Sequence, residues 1–239
     1  MNINSQIKTI IFDLYGTLAF FDPSREKIQK KAASKFGYSL SFEGINKGYF
    51  EAQKFFDYQN SIKLISKLNS EEKYQFFSKY EQLILKGDNI DVNLNESGKI
   101  WELISIQNYE MILYPDVMNT LRSLGNNFNL GLATNIDLSS QEISNKFQLE
   151  GLMDFIFTSK DLNLVKPDKK FFRKILLGTK TEKDKILYIG DQIQNDIMPA
   201  MSLGFKTILM DRYNQFSGKS ICPVVRNMDE IIKLLEGKK

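Results

Sequence analysis

The chain has 239 residues, of which 42% are hydrophobic and 26% charged, a balance typical of a globular protein with room for a core domain and a smaller partner. The net charge is only +3, from interspersed basic and acidic side chains, so nucleic acid is not an expected partner. Histidine is absent, which excludes Ser-His-Asp triads, Cys-His pairs and histidine-ligated zinc. Because the chain has one cysteine, Cys222, a bound metal would be a hard cation held by oxygen atoms.

The same features predict where the protein works. Cys222 cannot form an intramolecular disulfide, and the sequence does not open with a charged segment followed by an apolar one. No apolar run approaches the length of about 18 residues that a membrane span requires. We therefore expect a cytoplasmic monomer or homodimer that does not bind membranes.

The first predicted element is a buried strand over residues 7–13, an apolar run that ends at Asp13 and is followed by a turn at Gly16. Residues 23–107 then lose strand-like runs, and charged, aromatic and aliphatic residues recur at helical spacing. This pattern predicts a helical insert of about four segments, broken near residues 37, 60, 70 and 87–98.

After Tyr114 and Pro115 the predicted strands and helices alternate. The helices are expected at 117–124, 139–147, 169–176, 193–203 and 228–235, and the strands at 128–133, 155–158, 186–189 and 207–210. Strands separated by helices of this length indicate a parallel sheet with helices on both faces. The strand at 7–13 belongs with this sheet, so the helical block is predicted to be an insertion into one α/β domain.

Three apolar runs end in polar groups: Asp13, the pair Thr134 and Asn135, and Asp191 after Gly190. Each run alone is more typical of an ordinary turn, but the three together favour a site, because ligands of open parallel sheets bind at the carboxyl ends of the strands. Two adjacent carboxylates repel unless a cation such as Mg²⁺ lies between them, and Asp13 would then be a plausible nucleophile. Lys166, before Pro167, could add a positive charge or could be an exposed lysine ahead of a helix.

These residues resemble the haloacid dehalogenase-like superfamily, and its phosphoglycolate-phosphatase-like branch gives the nearest overall pattern. The resemblance spans roughly residues 6–211 in the family's motif order. The matching motifs are DLYGTL at 13–18, YPDV at 114–117, GLATN at 131–135, VKPD at 165–168 and GDQIQND at 190–196.

The resemblance implies an α/β fold with a Rossmann-like, three-layer core at 1–18 and 111–239 and an all-helical cap at 19–110. It implies Mg²⁺ as cofactor and a small, anionic substrate. By motif position it assigns Asp13 as the nucleophile and a metal ligand. Asp191 and the backbone carbonyl of Tyr15 would be the other metal ligands, and Asp196 would support the metal shell. Thr134 and Asn135 would contact the phosphate, and the charge of Lys166 would orient the nucleophile and the phosphate.

Tyr15 departs from the phosphatase pattern, which has an aspartate here as general acid and base. A tyrosine with an ordinary pKa of about 10 is a poor base near neutral pH. Tyrosine at this position is similar to the 2-haloacid dehalogenases, but that branch uses no metal and replaces the pair found here as Gly190 and Asp191. It also uses a cap arginine, and no arginine lies in the middle of this insert. Phosphatase is the leading hypothesis. The alternatives are a dehalogenase and a weakly active or non-catalytic binding protein.

Overall fold

The structure is a computed structural model that describes residues 7–214, 216, 218 and 220–237. The chain divides into two compact units, of which the first contains the chain up to Phe20 and from Met111 onward, and the second is Phe21–Glu110. The sequence predicted the division after residue 18. That the second unit acts as a cap stays a prediction.

The described residues form eight strands and ten α-helices. The strands are β1 (Thr9–Phe12), β2 (Ala19–Asp22), β3 (Glu110–Leu113), β4 (Asn129–Thr134), β5 (Phe155–Thr158), β6 (Ile186–Gly190), β7 (Lys206–Met210) and β8 (Val224–Val225). The helices are α1 (Arg25–Ser34), α2 (Phe42–Ile62), α3 (Ser70–Lys86), α4 (Leu94–Ser105), α5 (Val117–Gly125), α6 (Ser140–Phe147), α7 (Ser159–Leu162), α8 (Lys169–Thr179), α9 (Met198–Ser202) and α10 (Met228–Glu236). Short 3₁₀ turns lie at Ile65–Lys67 and Lys183–Lys185.

Six strands of the first unit form one sheet in the order β5-β4-β1-β6-β7-β8, and every pairing in it is parallel. Strands β1 and β6 lie in the middle, and all their residues are buried, as expected for strands covered on both faces. The predicted α/β class with a parallel sheet is therefore confirmed. Strands β2 and β3 form a separate two-stranded sheet.

The register of the sheet brings three strand ends to one edge. Phe12, the last residue of β1, pairs with Ile189 of β6 and with Leu132 of β4. Asp13 therefore continues beside the end of β6 on one side and beside the end of β4 on the other. This is the edge at which parallel sheets usually bind ligands.

Both faces of the sheet are covered by helices, which confirms the three layers. On one face, alternate residues of the central strands pack with inner residues of α5, α6 and α10 in a large apolar cluster. On the other face, Ile11, Ala133 and Tyr188 pack with residues of α8 and α9. The alternation follows from the two-residue period of a strand, which sends successive side chains to opposite faces.

The second unit is built from the four long helices α1 to α4. Each helix is preceded by a capping residue, whose side chain accepts a hydrogen bond from a backbone N–H of the first turn. The four capping residues are Ser24, Ser41, Asn69 and Asn93. Helices α2 and α3 approach closely through glycine, since a Cβ built on Gly48 would lie 2.1 Å from the carbonyl oxygen of Ile84. Close helix packing, rather than sheet formation, thus holds this unit together.

Two local predictions were wrong in detail. Helix α4 begins at Leu94, inside the polar stretch 87–98 that was expected to be a break, because Asn93 caps it. The segment predicted as one helix over 193–203 begins instead as a π-helical turn at Ile193–Ile197 and continues as α9, whose first turn contains Pro199. Among the described residues, no helix is both long and apolar enough to cross a membrane.

Candidate active site

The loop that follows β1 is held by its own backbone and by the neighbouring strand. The N–H of Asp13 donates to the carbonyl of Ile189 at 2.8 Å, and the carbonyl of Leu14 accepts the N–H groups of Leu18 and Ala19, each at 2.8 Å. This tight turn fixes the direction in which the Asp13 side chain leaves the strand. These hydrogen bonds therefore hold the Asp13 carboxylate at the edge of the sheet.

Gly16 allows this loop to approach Asp191. Its φ is +82°, which favours glycine, and a Cβ at this position would lie 2.3 Å from Oδ2 of Asp191. The backbone around Gly16 and the Asp191 carboxylate thus share one small space. A residue larger than glycine at position 16 would push the loop backbone away from the Asp191 carboxylate.

Lys166 forms two short ion pairs at the centre of the site. Its Nζ lies 2.6 Å from Oδ1 of Asp13 and 2.6 Å from Oδ1 of Asp196. All three side chains are buried, with exposed fractions of 5% for Lys166, 8% for Asp13 and 1% for Asp196. Ion pairs in so dry a position are strong and directional.

Burial sets the protonation of these groups. It raises the pKa of Asp13 to about 6, against the opposing effect of the Lys166 ammonium. For Lys166, burial by itself lowers the pKa, but the carboxylates of Asp13 and Asp196 outweigh it and hold the pKa well above the usual value. Lys166 therefore remains a cation throughout the neutral range.

Three carboxylates meet at this edge of the sheet. Asp13, Asp191 and Asp196 each offer an oxygen atom, and these atoms lie within 4.8 Å of one another. A Cβ on Gly190 would lie 2.5 Å from the Cγ of Asp196, so the end of β6 also needs glycine. Hard oxygen donors at this spacing fit a hard divalent cation such as Mg²⁺; the chain has no histidine, and Cys222 is not part of this group.

Asn135 positions the segment that carries Lys166. Its Oδ1 accepts the backbone N–H of Lys166 at 2.7 Å, and its Nδ2 donates to the Lys166 carbonyl at 3.0 Å. Thr134, at the end of β4, is buried with an exposed fraction of 4%. Roles for Thr134 and Asn135 as phosphate contacts stay predictions.

Tyr15 lies in the loop after β1, partly buried, and forms an isolated backbone bridge with Ala19. Its phenol is close enough to Tyr114 to help raise the pKa of that residue, although burial and the Tyr213 hydroxyl contribute more. The role of the Tyr15 carbonyl as a metal ligand stays a prediction.

Sequence reasoning did not single out Arg212, which braces the same loop. Its Nε donates to the carbonyl of Thr17 at 2.8 Å, its Nη1 lies 3.1 Å from Asp116, and its guanidinium carbon lies 3.7 Å from the centre of the Tyr114 ring. Because 195 residues separate Arg212 from Thr17, no local pattern reveals this contact.

Tyr188 is the second residue that sequence reasoning did not assign to the site. It belongs to β6 and is fully buried, yet its hydroxyl lies 3.2 Å from Oδ1 of Asp196 and 3.4 Å from Nζ of Lys166. The available signal was the single polar-tipped side chain in the strand ILYIG, since a buried tyrosine hydroxyl usually has a partner.

A profile of the family described as haloacid dehalogenase-like hydrolase matches residues 10–210. The chain belongs to this family. The match includes β4, β5, β6 and β7 and all of β1 except Thr9, and it includes the three carboxylates and Lys166. The resemblance drawn from the motifs is therefore confirmed at the level of the superfamily.

Relatives of this hydrolase extend over its full length. Glyceraldehyde 3-phosphate phosphatase of Methanocaldococcus jannaschii is 23% identical, over 98% of this chain and 99% of that protein. A structure of the HAD hydrolase YfnB from Bacillus subtilis, bound to magnesium, superposes with a TM-score of 0.63 at 17% identity, covering 97% of this chain and 99% of YfnB. A 2-haloacid dehalogenase from Pseudomonas syringae gives 0.57 at 20% identity, covering 97% and 99%. The two structures show a shared fold.

Proposed function

We propose that this hydrolase is a Mg²⁺-dependent phosphatase of a small phosphorylated metabolite, with Asp13 as its nucleophile. The observation that supports the proposal most is the buried cluster of Asp13, Lys166 and Asp196, with an oxygen of Asp191 within 4.8 Å of those of the other two aspartates. The relative from Methanocaldococcus jannaschii, named as a phosphatase, supports a phosphorylated small molecule as substrate.

The charges of the cluster favour a divalent cation. Three carboxylates against one ammonium leave a formal charge of −2 when all are ionised. The residues that would hold Mg²⁺ are Asp13, Asp191 and the carbonyl of Tyr15, with Asp196 supporting them from behind. The chemistry that bound magnesium supplies is neutralisation of the negative charge on the phosphoryl oxygens.

The side chains divide the remaining work. Lys166 orients the Asp13 carboxylate and offers a positive charge to the incoming phosphate. An oxygen of Asp13 attacks phosphorus, the bond from phosphorus to the ester oxygen breaks, and the departing oxygen takes a proton from solvent to leave as the alcohol. Water then attacks the phosphorus of the aspartyl phosphate, which releases inorganic phosphate and restores Asp13.

Tyr15 supports a second candidate, a 2-haloacid dehalogenase. Cleavage of a carbon–halogen bond needs no proton for the departing halide, so a tyrosine in place of the acid aspartate is not a handicap there. Against this candidate stand Asp191 and Asp196, since two further carboxylates beside Asp13 repel an anionic haloacid unless a cation offsets them. A third alternative, a homologue that binds phosphate and metal with weak or no turnover, differs from the first only in rate.

One experiment separates the three. The protein is assayed on a panel of small phosphate esters with Mg²⁺ and with EDTA, and in parallel on a panel of 2-haloacids for halide release. We expect phosphate release that depends on Mg²⁺ and disappears in Asp13→Asn. Halide release without phosphate release would establish the dehalogenase, and saturable phosphate binding without either product would establish the inactive homologue.

A further inference from the structure

The hydroxyl of Tyr188 lies inside the ion-pair cluster rather than at its edge. It is 3.2 Å from Oδ1 of Asp196, 3.4 Å from Nζ of Lys166 and 3.4 Å from the carbonyl of Ala133. The side chain is fully buried, with its ring 5.4 Å from that of Phe172 in the apolar layer beneath α8. The hydroxyl thus reaches the charged centre from the interior side of the sheet.

The cluster uses every donor of the Lys166 ammonium. An ammonium has three N–H groups, and the three acceptors within reach are Asp13 at 2.6 Å, Asp196 at 2.6 Å and the Tyr188 hydroxyl at 3.4 Å. The one proton of the hydroxyl is in turn available to Asp196 or to the carbonyl of Ala133. Asp196 is the nearer and the charged acceptor, so the Tyr188 hydroxyl accepts from Lys166 and donates to Asp196.

This double contact restricts how Lys166 can move. Without the Tyr188 hydroxyl, the third N–H of the Lys166 ammonium would face the apolar ring of residue 188. A buried N–H donor without an acceptor costs free energy. The ammonium could then turn about its bonds to the carboxylates and lose its alignment with Asp13. A phenylalanine would fill the same volume, so packing alone does not require tyrosine here.

We propose that Tyr188 is a positioning residue of this active site, whose hydroxyl holds Lys166 and Asp196 in the arrangement that aligns Lys166 with Asp13. The inference rests on the proposed function, in which Lys166 orients the nucleophile. Tyr188 itself does not touch the substrate, because it lies behind Lys166 in the core.

The test removes only the hydroxyl, with Tyr188→Phe. Loss of one such hydrogen bond is expected to lower kcat for a phosphate ester about three- to tenfold and to change KM less than about twofold. Hydrogen exchange of the Lys166 ammonium, followed by NMR and assigned by its absence from Lys166→Arg, should become at least about tenfold faster. Both effects should shrink when Tyr188→Phe is made in an Asp196→Asn background, because the two groups act as one unit.

The matched control is Thr9→Val. It removes another fully buried hydroxyl, bonded at 2.8 Å to Thr181, from the strand that carries Asp13 but at the opposite end. We expect wild-type kcat and wild-type exchange of Lys166 in this variant. Unchanged ammonium exchange in Tyr188→Phe, or effects of equal size with and without Asp196, would overturn the proposal. If the wild type hydrolyses no phosphate ester, the proposed function fails, and the exchange rates still decide the role of Tyr188.

Discussion

Nζ of Lys166 lies 2.6 Å from Oδ1 of Asp13, although 153 residues separate the two in the chain. The pair joins the end of β1 to the segment that precedes α8. It can form only when the sheet and the helices of the first unit are assembled. The alignment proposed for catalysis and the assembled core therefore share this contact.

Lys166→Met should damage both activity and stability. It leaves the carboxylates of Asp13 and Asp196 buried without their cation, a change that typically costs about 3–5 kcal/mol in the free energy of unfolding. We expect kcat to fall at least about a hundredfold, as when one preorganised donor is removed from an active site. Denaturant unfolding and steady-state kinetics measure the two effects.

The control is Lys160→Met. Lys160 pairs with Glu142 on the surface, where the side chains are 42% and 51% exposed, so its loss should cost less than about 1 kcal/mol and leave kcat unchanged. Equal losses of stability in the two lysine variants would contradict a special role for the buried pair.

Asp191→Ala should abolish Mg²⁺ binding. The wild type offers oxygen atoms of three carboxylates within 4.8 Å of one another, and the variant loses one of the two side chains proposed as direct ligands. Isothermal titration calorimetry with MgCl₂ should show binding to the wild type and to Asp229→Asn, an exposed aspartate of α10. Identical titrations of wild type and Asp191→Ala would remove Asp191 from the metal site.

Tyr15→Asp should raise phosphatase activity, because it restores the group that protonates the leaving alcohol and activates water. General acid and base catalysis is worth about 10²–10⁴ in rate. The gain should be smaller for an aryl phosphate, whose leaving group needs little protonation. Slow hydrolysis of the aspartyl phosphate could hide this difference, and burst kinetics would reveal it.

The same variant also tests the dehalogenase alternative. A further carboxylate beside Asp13 repels an anionic haloacid, so Tyr15→Asp should abolish any halide release. The phosphatase proposal would be falsified by two results together: the wild type releases halide, and the variant folds and binds Mg²⁺ but is no more active than the wild type on any phosphate ester.

The sequence was informative where structure follows from local pattern. The central strands are continuous apolar runs that end in polar residues, and the register of a parallel sheet then places Asp13 next to the ends of β4 and β6. The strands β2, β3 and β8 were not predicted. Strand β8 has only two residues, and β2 (AFFD) and β3 (EMIL) each contain a charged residue, so none of the three shows the apolar run that marks the other strands.

The ends of the predicted strands and the family motifs together named the residues that meet at this edge of the sheet. Asp13, Lys166, Asp191 and Asp196 lie together, but the pairing of Lys166 with two carboxylates at once depends on the loop that Asn135 holds. The hydroxyl of Tyr188 in an otherwise apolar strand indicates that it has a polar partner, but the sequence does not show that the partners are Asp196 and Lys166. Contacts between side chains distant in the chain depend on packing, which a pattern does not contain.

Glu81 predicts how the stability of the helical unit depends on pH. This carboxyl is 1% exposed and accepts a hydrogen bond from Gln29, and burial raises its pKa from 4.5 to about 8. Between these values the unfolded chain releases the proton while the folded unit keeps it. The free energy of unfolding should therefore fall as the pH rises from about 4.5 to about 8, and the contribution should stay constant above that.

Glu81→Gln removes the titrating carboxyl, so the fall in the free energy of unfolding between pH 4.5 and about 8 should disappear. The difference in stability between the variant and the wild type should therefore increase in favour of the variant as the pH rises. The fluorescence of Trp101, the only tryptophan of the chain, reports on the helical unit, where it stacks on Phe77 at 4.9 Å. The exposed Glu71 of α3 provides the control, Glu71→Gln, which should keep the wild-type dependence. Parallel stability curves for wild type and Glu81→Gln would show that Glu81 does not titrate in this range.

The central claim is that Asp13 takes up the phosphoryl group, and the mass of the peptide that contains it is the most direct test. The protein is mixed with an aryl phosphate and Mg²⁺, quenched in acid within the first turnover and digested, with Asp13→Asn and an EDTA sample beside it. We predict the mass increment of one phosphoryl group on the Asp13 peptide of the wild type with Mg²⁺, and none in the two controls. Phosphate release at the same rate in wild type and Asp13→Asn, or a phosphoryl group on another residue, would contradict the account.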